Sequence, residues 1–510
     1  MKSLSLFLLF ALLAFSFQKT AIETVNDMGL GWNLGNTFDC FGTWKEIKTP
    51  DDQITMWGNV VPTEEMVVTI KKYGFKTVRF PVTWMYFMDE SGNVNSQWMA
   101  RVKQVVDWII NAGMYCILNV HHDGVSGNWL SQGTAVKNRY VTLWKQIATE
   151  FKNYDEHLIL ESMNEVEYKS GNDFDFKTLN TLTQAFVDAV RSTGSTNAER
   201  LLLISGMNTN LEQTCSSGYL MPTDKANKLA ISIHYYLPPQ FTVESDKNPW
   251  TWTDDQGVVH EITPMTTWGT EADYKEMVTN YETMKKAFVD KGIPVILGEV
   301  GVLTEEQKKK DSIREFLYAQ YSFSQAYDGF MSVLWDTSKN TAGDMNFYNR
   351  ETDKWYDEKI RDNFVNIAKG DYVKPTDYFV NSNSETSSNL DSDGNIQINI
   401  GSKKVNKVIF SAKISSSVQV WDVGFGVASA DSTHTWFGDP VGGAEGVKQS
   451  DGTYLFTIDV SKKDFNDYVQ VQEWWGNEDI ELVYATVEFA GSAVTIDYNA
   501  YKAAVAKKTS

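Results

Sequence analysis

Short apolar runs alternate with amphipathic stretches over the first 370 residues. Runs of that length, rich in β-branched residues and bounded by turn signals, predict buried parallel strands. They fall at Leu30–Leu34, Thr77–Phe80, Tyr115–Val120, Leu158–Ser162, Leu201–Ile204, Ala230–His234, Pro294–Gly298 and Gly329–Trp335. Helical periodicity fills most gaps, at Glu64–Tyr73, Trp98–Ala112, Arg139–Phe151, Phe176–Arg191, Ala272–Lys291, Ser312–Ala326 and Lys359–Ala368. Glycines at Ala112-Gly113 and Lys291-Gly292 end two of these helices. The alternation predicts an α/β fold, a (β/α)8 TIM barrel over residues 20–370 with a degenerate fifth unit between Gly206 and Asn227. The long stretch Leu237–Thr270, carrying Trp250, Trp252 and Trp268, reads as a loop covering a substrate.

After Gly370 the pattern changes. Residues 371–394, which include the small polar run Asn381–Asn389, read as a linker. Residues 395–510 show two-residue alternation at Ile396–Ile400, Val405–Ile414, Val418–Val423, Tyr454–Val460, Tyr468–Trp475 and Val483–Phe489, which predicts a smaller C-terminal β-sandwich. At the other end, residues 1–18 place Lys2 ahead of the apolar run Leu4–Phe17. That is the pattern of a secretory signal peptide, too short for a stable membrane anchor, so a secreted, extracellular protein is expected.

Composition narrows the partners. Among 510 residues 13% are aromatic, with 17 Trp, and indoles are flat platforms for sugar rings. The net charge of −20 argues against nucleic acid, an anionic membrane or a polyanionic substrate, since phosphate binding needs clustered Lys and Arg. A neutral substrate fits. The three cysteines have no metal-ligand spacing, so neither a metal nor another cofactor is expected. Cys116 sits in an apolar strand, whereas a bridge between Cys40 and Cys215, both in predicted rim loops, stays open. The chain is expected to be a monomer.

Two predicted strands run straight into carboxylates: Leu158–Ser162 leads to Asn164-Glu165, and Pro294–Gly298 to Glu299. Strand ends are where barrels keep their chemistry. The other strand ends carry Asn36, Arg79, His121-His122, His234, Tyr236 and Trp335. Half of the six histidines fall in two of these ends. One such residue is ordinarily a satisfied core group or a structural ion pair, but polar side chains at nearly every strand end point to a cleft. Glycoside hydrolysis needs this kind of set, with one carboxyl to protonate the leaving oxygen and one ionised to attack or to activate water. Arg79 would keep Glu299 ionised, with a hydrogen bond from Tyr236. Asn164 would hold the 2-hydroxyl, His121 and His234 would either meet sugar hydroxyls or keep Glu165 correctly protonated, and Trp335 would form a floor.

These residues lie in GWNLGNTFD (Gly31–Asp39), TVRFPVTW (Thr77–Trp84), His121-His122, ESMNE (Glu161–Glu165), HYY (His234–Tyr236), LGEVG (Leu297–Gly301) and LWD (Leu334–Asp336). In that order they resemble the glycoside hydrolase family 5 (clan A) endo-β-1,4-glucanases, or cellulases, over the whole barrel half. The resemblance implies that Glu165 is the acid/base and Glu299 the nucleophile of a retaining enzyme. It implies β-glucan substrates such as cellulose, mixed-linkage glucan or xyloglucan. A β-mannanase or xyloglucanase with the same machinery is the alternative, and a non-catalytic glycan-binding barrel a more distant one. Of the paired histidines, His121 is preferred as the family's position. Val166 departs from the proline usual after the Asn-Glu pair.

In the sandwich, alternation puts Gln419 and Trp421 on one face of Val418–Asp422, and Gln470, Gln472 and Trp474 on one face of Val469–Trp475. A face of glutamine and tryptophan is poor core and good sugar surface. Trp421 and Trp474 are therefore the candidate residues of a carbohydrate-binding module.

Overall fold

The computed structural model describes residues 19–125, 127–171, 173–245, 251–253, 259–261, 263–305, 307–339, 344–381, 383–430, 436–449, 451–463, 465, 467–476, 479–491 and 493–509. The expected signal segment, residues 1–18, lies outside them, as does Trp250. The chain divides into two compact units. One runs to Asp377 and resumes at Tyr501, and the other is Tyr378–Ala500.

In the first unit eight parallel strands close a barrel: β1 Leu30–Asn33, β2 Phe75–Phe80, β3 Tyr115–Asn119, β4 Leu158–Glu161, β5 Leu202–Ser205, β6 Leu229–Tyr235, β7 Val295–Val300 and β8 Phe330–Leu334. Strand β1 pairs with both β2 and β8, which completes the ring. Each apolar run is just long enough to cross the barrel once, and helices cover the outside. The fifth unit is degenerate because only the single α-helical turn Leu211–Thr214 and a 3₁₀ turn at Met207–Thr209 lie between β5 and β6.

Helix Ala21–Met28 has no counterpart in the periodicity reading, being barely two turns long. A reciprocal capping box fixes its start, with Glu23 N–H donating to Thr20 Oγ1 and Thr20 N–H to a Glu23 carboxylate oxygen. Its Ala21, Val25 and Met28 join Ile117, Ile159, Leu203, Ile296 and Val333 in one buried cluster inside the barrel. The cluster plugs the end at which the strands begin, so the opposite end is left for polar groups.

Inward positions therefore follow a parity: Thr77 and Arg79, Ile117 and Asn119, Ile159 and Glu161, Ser232 and His234, Ile296 and Gly298. Glu299 breaks it. The register between β7 and β6 slips by one between Leu297↔Ile233 and Glu299↔His234, so Gly298 is an extra, bulged residue. The bulge turns Glu299 from the helix side into the barrel. A Cβ on Gly298 would lie 2.9 Å from Ser232 Oγ and 3.2 Å from His234 Nε2, so the bulge needs glycine here.

The expected substrate-covering loop is corrected in one respect. Trp268 is buried and packs against Tyr274 and Phe316, with ring centroids 4.9 and 5.3 Å away, so it belongs to the helix layer. All three cysteines are free, and the Cys40–Cys215 bridge does not form.

The second unit holds two antiparallel sheets. Its strands are β9 Ser384–Ser387, β10 Ile396–Gly401, β11 Val405–Ile414, β12 Gly424–Ala430, β13 Trp436–Gly442, β14 Val447–Lys448, β15 Tyr454–Asp459, β16 Asp467–Trp475 and β17 Ile480–Phe489. The orders are β9-β17-β11-β15-β14 and β10-β16-β12-β13. Ile396, Ile398, Phe410, Phe425, Val469, Val471 and Val487 from both sheets share one buried cluster.

Three expectations change here. The linker of residues 371–394 carries structure, because Phe379–Asn381 pairs with Val494–Ile496 and β9 is an edge strand on β17. An edge strand can be polar on both sides, which hides it from a search for alternation. The strand expected at Val418–Val423 is instead a 3₁₀ turn at Val420–Asp422, and the strand starts at Gly424. Finally, the sandwich does not extend to residue 510. Helix Tyr498–Thr509 joins the barrel unit from Tyr501 on, where Tyr501 is fully buried with its ring 5.5 Å from that of Tyr274 and Lys502 pairs with Glu315.

Candidate active site

At the polar end of the barrel a cleft of about 300 Å³ is lined by Asn36, His121, His122, Asn164, Glu165, Tyr236, Glu299 and Trp335. Arg79 and His234 lie buried at its base. Ten of the twelve residues singled out in the sequence thus meet in one place, and Trp421 and Trp474 belong to the other unit.

Arg79 is fully buried and all its polar edges are engaged. Nε donates to Glu161 Oε2 at 2.7 Å and Nη2 to Glu161 Oε1 at 3.2 Å. Nη1 donates to Asn33 Oδ1 at 3.0 Å and to Glu299 Oε1 at 2.8 Å, and Nη2 to Asn164 Oδ1 at 2.8 Å. Burial opposes the charge, but Glu161 and Glu299 hold the guanidinium protonated. Glu161 also accepts from Ser232 Oγ at 3.0 Å.

Glu299 accepts a second hydrogen bond, from Tyr236 Oη at 2.9 Å. Glu165 follows β4 by a short loop and opens to the cleft, its Oε1 2.6 Å from His234 Nδ1. One oxygen from each carboxyl and a His234 nitrogen all lie within 4.8 Å of one another. The two carboxyls consequently titrate as a pair. Burial raises both; His234 draws Glu165 below its ordinary value, while at Glu299 burial and the Glu165 charge outweigh the opposing pull of His234 and Arg79.

Of the paired histidines, His121 is the one beside the carboxylates, with Nε2 4.0 Å from Glu299 Oε1. Its ring stacks on Trp335 at 5.7 Å and 6°. Asn119 Oδ1 accepts from Val82 N–H at 3.1 Å, so its Nδ2 faces and donates to His121 Nδ1, also at 3.1 Å. That fixes the tautomer with the proton on Nε2, toward the cleft. His122 packs against Phe41 and Trp57. Burial pulls His121 well below the usual imidazole range and His122 down to about 4, so both are neutral at pH 7.

Sequence reasoning missed Asn33, Asn119, Glu161 and Ser232, which touch or orient these groups from below. Their signal was available in the inward parity of the strands. Val243, Leu303, Thr337, Asp344 and Met345 also line the cleft, and as loop residues they follow no parity. Of the other tryptophans, Trp84 and Trp129 are buried structural residues, donating to Asn119 O and Asp123 Oδ1, and Trp44 is exposed.

The cellulase family, glycosyl hydrolase family 5, matches residues 35–341 of this chain. The chain belongs to glycosyl hydrolase family 5. It is a glycoside hydrolase with endoglucanase relatives. Endoglucanase A of Paenibacillus barcinonensis is 34% identical over 357 residues, covering 65% of this chain and 86% of that protein. A solved family 5 structure, a GH5-4 broad specificity endoglucanase from an uncultured bovine rumen ciliate, is 90% identical with a TM-score of 0.68, covering 70% of this chain and 99% of that one. A family 5 xyloglucan-specific endo-β-1,4-glucanase from a metagenomic library, solved with cellotriose, is 30% identical with a TM-score of 0.59, covering 68% and 98%.

The residue after the Asn-Glu pair is Val166. Its N–H closes the turn onto Asn164 O at 3.0 Å, a bond that proline cannot make. Its side chain is buried against Gly124, where an added Cβ would fall 2.1 Å from Val166 Cγ2. The loop holding Glu165 is thus fixed by packing and by a backbone hydrogen bond.

Proposed function

We propose that the enzyme is a secreted, retaining endo-β-1,4-glucanase acting on neutral plant β-glucans by double displacement. The carboxyl geometry carries this reading. Retaining glycosidases hold their two carboxyls about 5–5.5 Å apart and inverting ones roughly 6.5–9.5 Å. Oxygens of Glu165 and Glu299 within 4.8 Å of one another support the closer, retaining spacing.

In the first step Glu299 attacks the anomeric carbon as Glu165 protonates the departing glycosidic oxygen, giving a covalent glycosyl-enzyme. Arg79 and Tyr236 direct their donors at Glu299 and favour its ionised form. In the second step Glu165, now ionised, takes a proton from water, which displaces Glu299 and restores the starting configuration. Asn164 lies between Arg79 and the cleft, placed for the sugar hydroxyl beside the reacting carbon. Trp335, braced by His121, offers its face to the ring.

Relatives described as broad-specificity and as xyloglucan-specific favour several β-1,4-glucans, decorated ones included, over mannan. Export is supported by the pattern of residues 1–18.

Glu165→Gln and Glu299→Gln are each expected to abolish polysaccharide hydrolysis. With an activated aryl glucoside, Glu165→Gln keeps a first-step burst, and added azide traps a β-glycosyl azide. An α-azide from Glu165→Gln would reverse the two roles, and inversion in the wild-type product, read by NMR, would sink the covalent mechanism.

A further inference from the structure

The sandwich carries a built surface that the cleft does not use. In sheet β10-β16-β12-β13 the side chains of Ile396, Ile398, Val469, Val471, Phe425 and Val427 point into the core, so the alternate positions face outward. On β16 those are Gln470 and Gln472, beside Gln397 of β10 and Gly426 of β12.

At the end of β16 the register slips. Phe425 pairs with Glu473 but Gly424 with Trp475, so Trp474 is an extra residue. A bulge of this kind brings two successive side chains to one side. The glycines confirm it: a Cβ on Gly426 would fall 1.7 Å from Trp474 Cε2, and one on Gly424 1.9 Å from Trp475 Cζ2. Both indoles lie on the outward side, over neighbouring glycines roughly 6.8 Å apart along the strand. Each remains 39% exposed. Trp475 is thus a companion of Trp474 on this face, and Trp421 stands in the preceding 3₁₀ turn.

A side-chain ladder fixes the platform. Trp474 Nε1 donates to Gln472 Oε1 at 2.8 Å, Gln472 Nε2 to Gln470 Oε1 at 3.1 Å, and Gln470 Nε2 to Asp391 Oδ2 at 3.0 Å. Mere coverage of two glycines needs no such ladder. We infer that the outward face of this sheet binds a single chain of neutral β-linked glucan, with successive rings on Trp474 and Trp475. The carbon-bound hydrogens on a pyranose face suit an indole face. Its hydroxyls suit Gln472 and Gln397. The side chains that flank the indoles on this face, Gln397, Gln470 and Gln472, carry no charge, which matches a neutral chain, and the Asp391 carboxylate at the end of the ladder disfavours a polyanion.

The identity of the glucan rests on the proposed substrate of the cleft, so the test reads both sites. The full chain carrying Glu299→Gln, which leaves the polymer intact, is oxidised by hydroxyl radicals with and without soluble mixed-linkage β-glucan. Peptide mass spectrometry then gives the rate at each tryptophan. Oxidation of Trp474 and Trp475 is expected to fall about fivefold or more. Protection of Trp335 alone overturns this inference and leaves the cleft reading standing. Protection of Trp474 and Trp475 without Trp335 supports the inference and counts against the cleft's substrate, and protection of neither overturns both. In the same background Trp475→Ala is expected to weaken adsorption to insoluble glucan about fivefold. Adsorption unchanged in a folded variant overturns the assignment.

Discussion

A guanidinium shut away from water is costly unless its donors are all taken. In Arg79 they are taken by Glu161, Glu299, Asn33 and Asn164, and only Glu299 and Asn164 reach the cleft. Glu161 and Ser232 therefore position the arginine from behind, and the arginine positions the carboxylate that faces substrate. The buried imidazoles add a different constraint. His122 titrates at about 4 in the folded protein, against about 6.5 in an unfolded chain. Between those values the unfolded state binds more protons, so this group's contribution to stability is lost as pH falls through the window. Asp39 and Asp123, pushed up to about 6 by burial, act the other way over the same range, since there the folded state binds more protons. The raw pH profile of stability sums these opposing effects. His122→Phe isolates one of them, because a phenyl ring suits the pocket of Phe41 and Trp57 and does not titrate. Relative to wild type, the variant is expected to gain about 2 to 3 kcal/mol on going from pH 7.5 to 4.5, read from urea unfolding. A constant difference across that range would mean that His122 does not stay neutral in the fold.

Strands separate what the sequence makes legible from what it conceals. The eight barrel runs agree with the observed strands to within about two residues because burial on both faces demands continuous apolar character. The carboxylates were legible as the residues at which two such runs end. The orientation of Glu299 was not, since alternation from Ile296 points it outward and only the bulge at Gly298 reverses it. The sandwich repeats the lesson, because Gly424 and Gly426 read as strand breakers and hid β12, yet they are the floor beneath Trp475 and Trp474. Gly298 allows a direct test. In Gly298→Ala the new Cβ meets Ser232 Oγ and His234, both held in the barrel interior, so the bulge must shift. Overpacking of this kind costs about 1–3 kcal/mol, which a barrel of this size tolerates. Displacement of Glu299 by a fraction of an ångström is expected to lower kcat about tenfold, less than the roughly 100-fold that a full ångström costs, with the far-UV circular dichroism unchanged. A kcat near wild type would show that the bulge survives a side chain.

At the scale of the whole molecule the sandwich is an insertion into the barrel unit rather than an appendage after it. The chain leaves that unit at Asp377 and rejoins it at Tyr501. Beyond Tyr501, Lys502 pairs with Glu315 and Lys508 with Asp371, both partners in the barrel unit. Such exposed pairs contribute little on their own. The fully buried ring of Tyr501 against Tyr274 contributes more, since truncating a buried aromatic to alanine costs about 3–5 kcal/mol. A chain cut where the barrel pattern ends, near Gly370, would lose this packing along with the sandwich. Tyr501→Ala is expected to lower the barrel's unfolding temperature by several degrees while leaving the sandwich transition in place, as resolved by scanning calorimetry. Loss of activity on heating should follow the barrel transition. An unchanged barrel transition would show that the terminal helix contributes nothing to that unit.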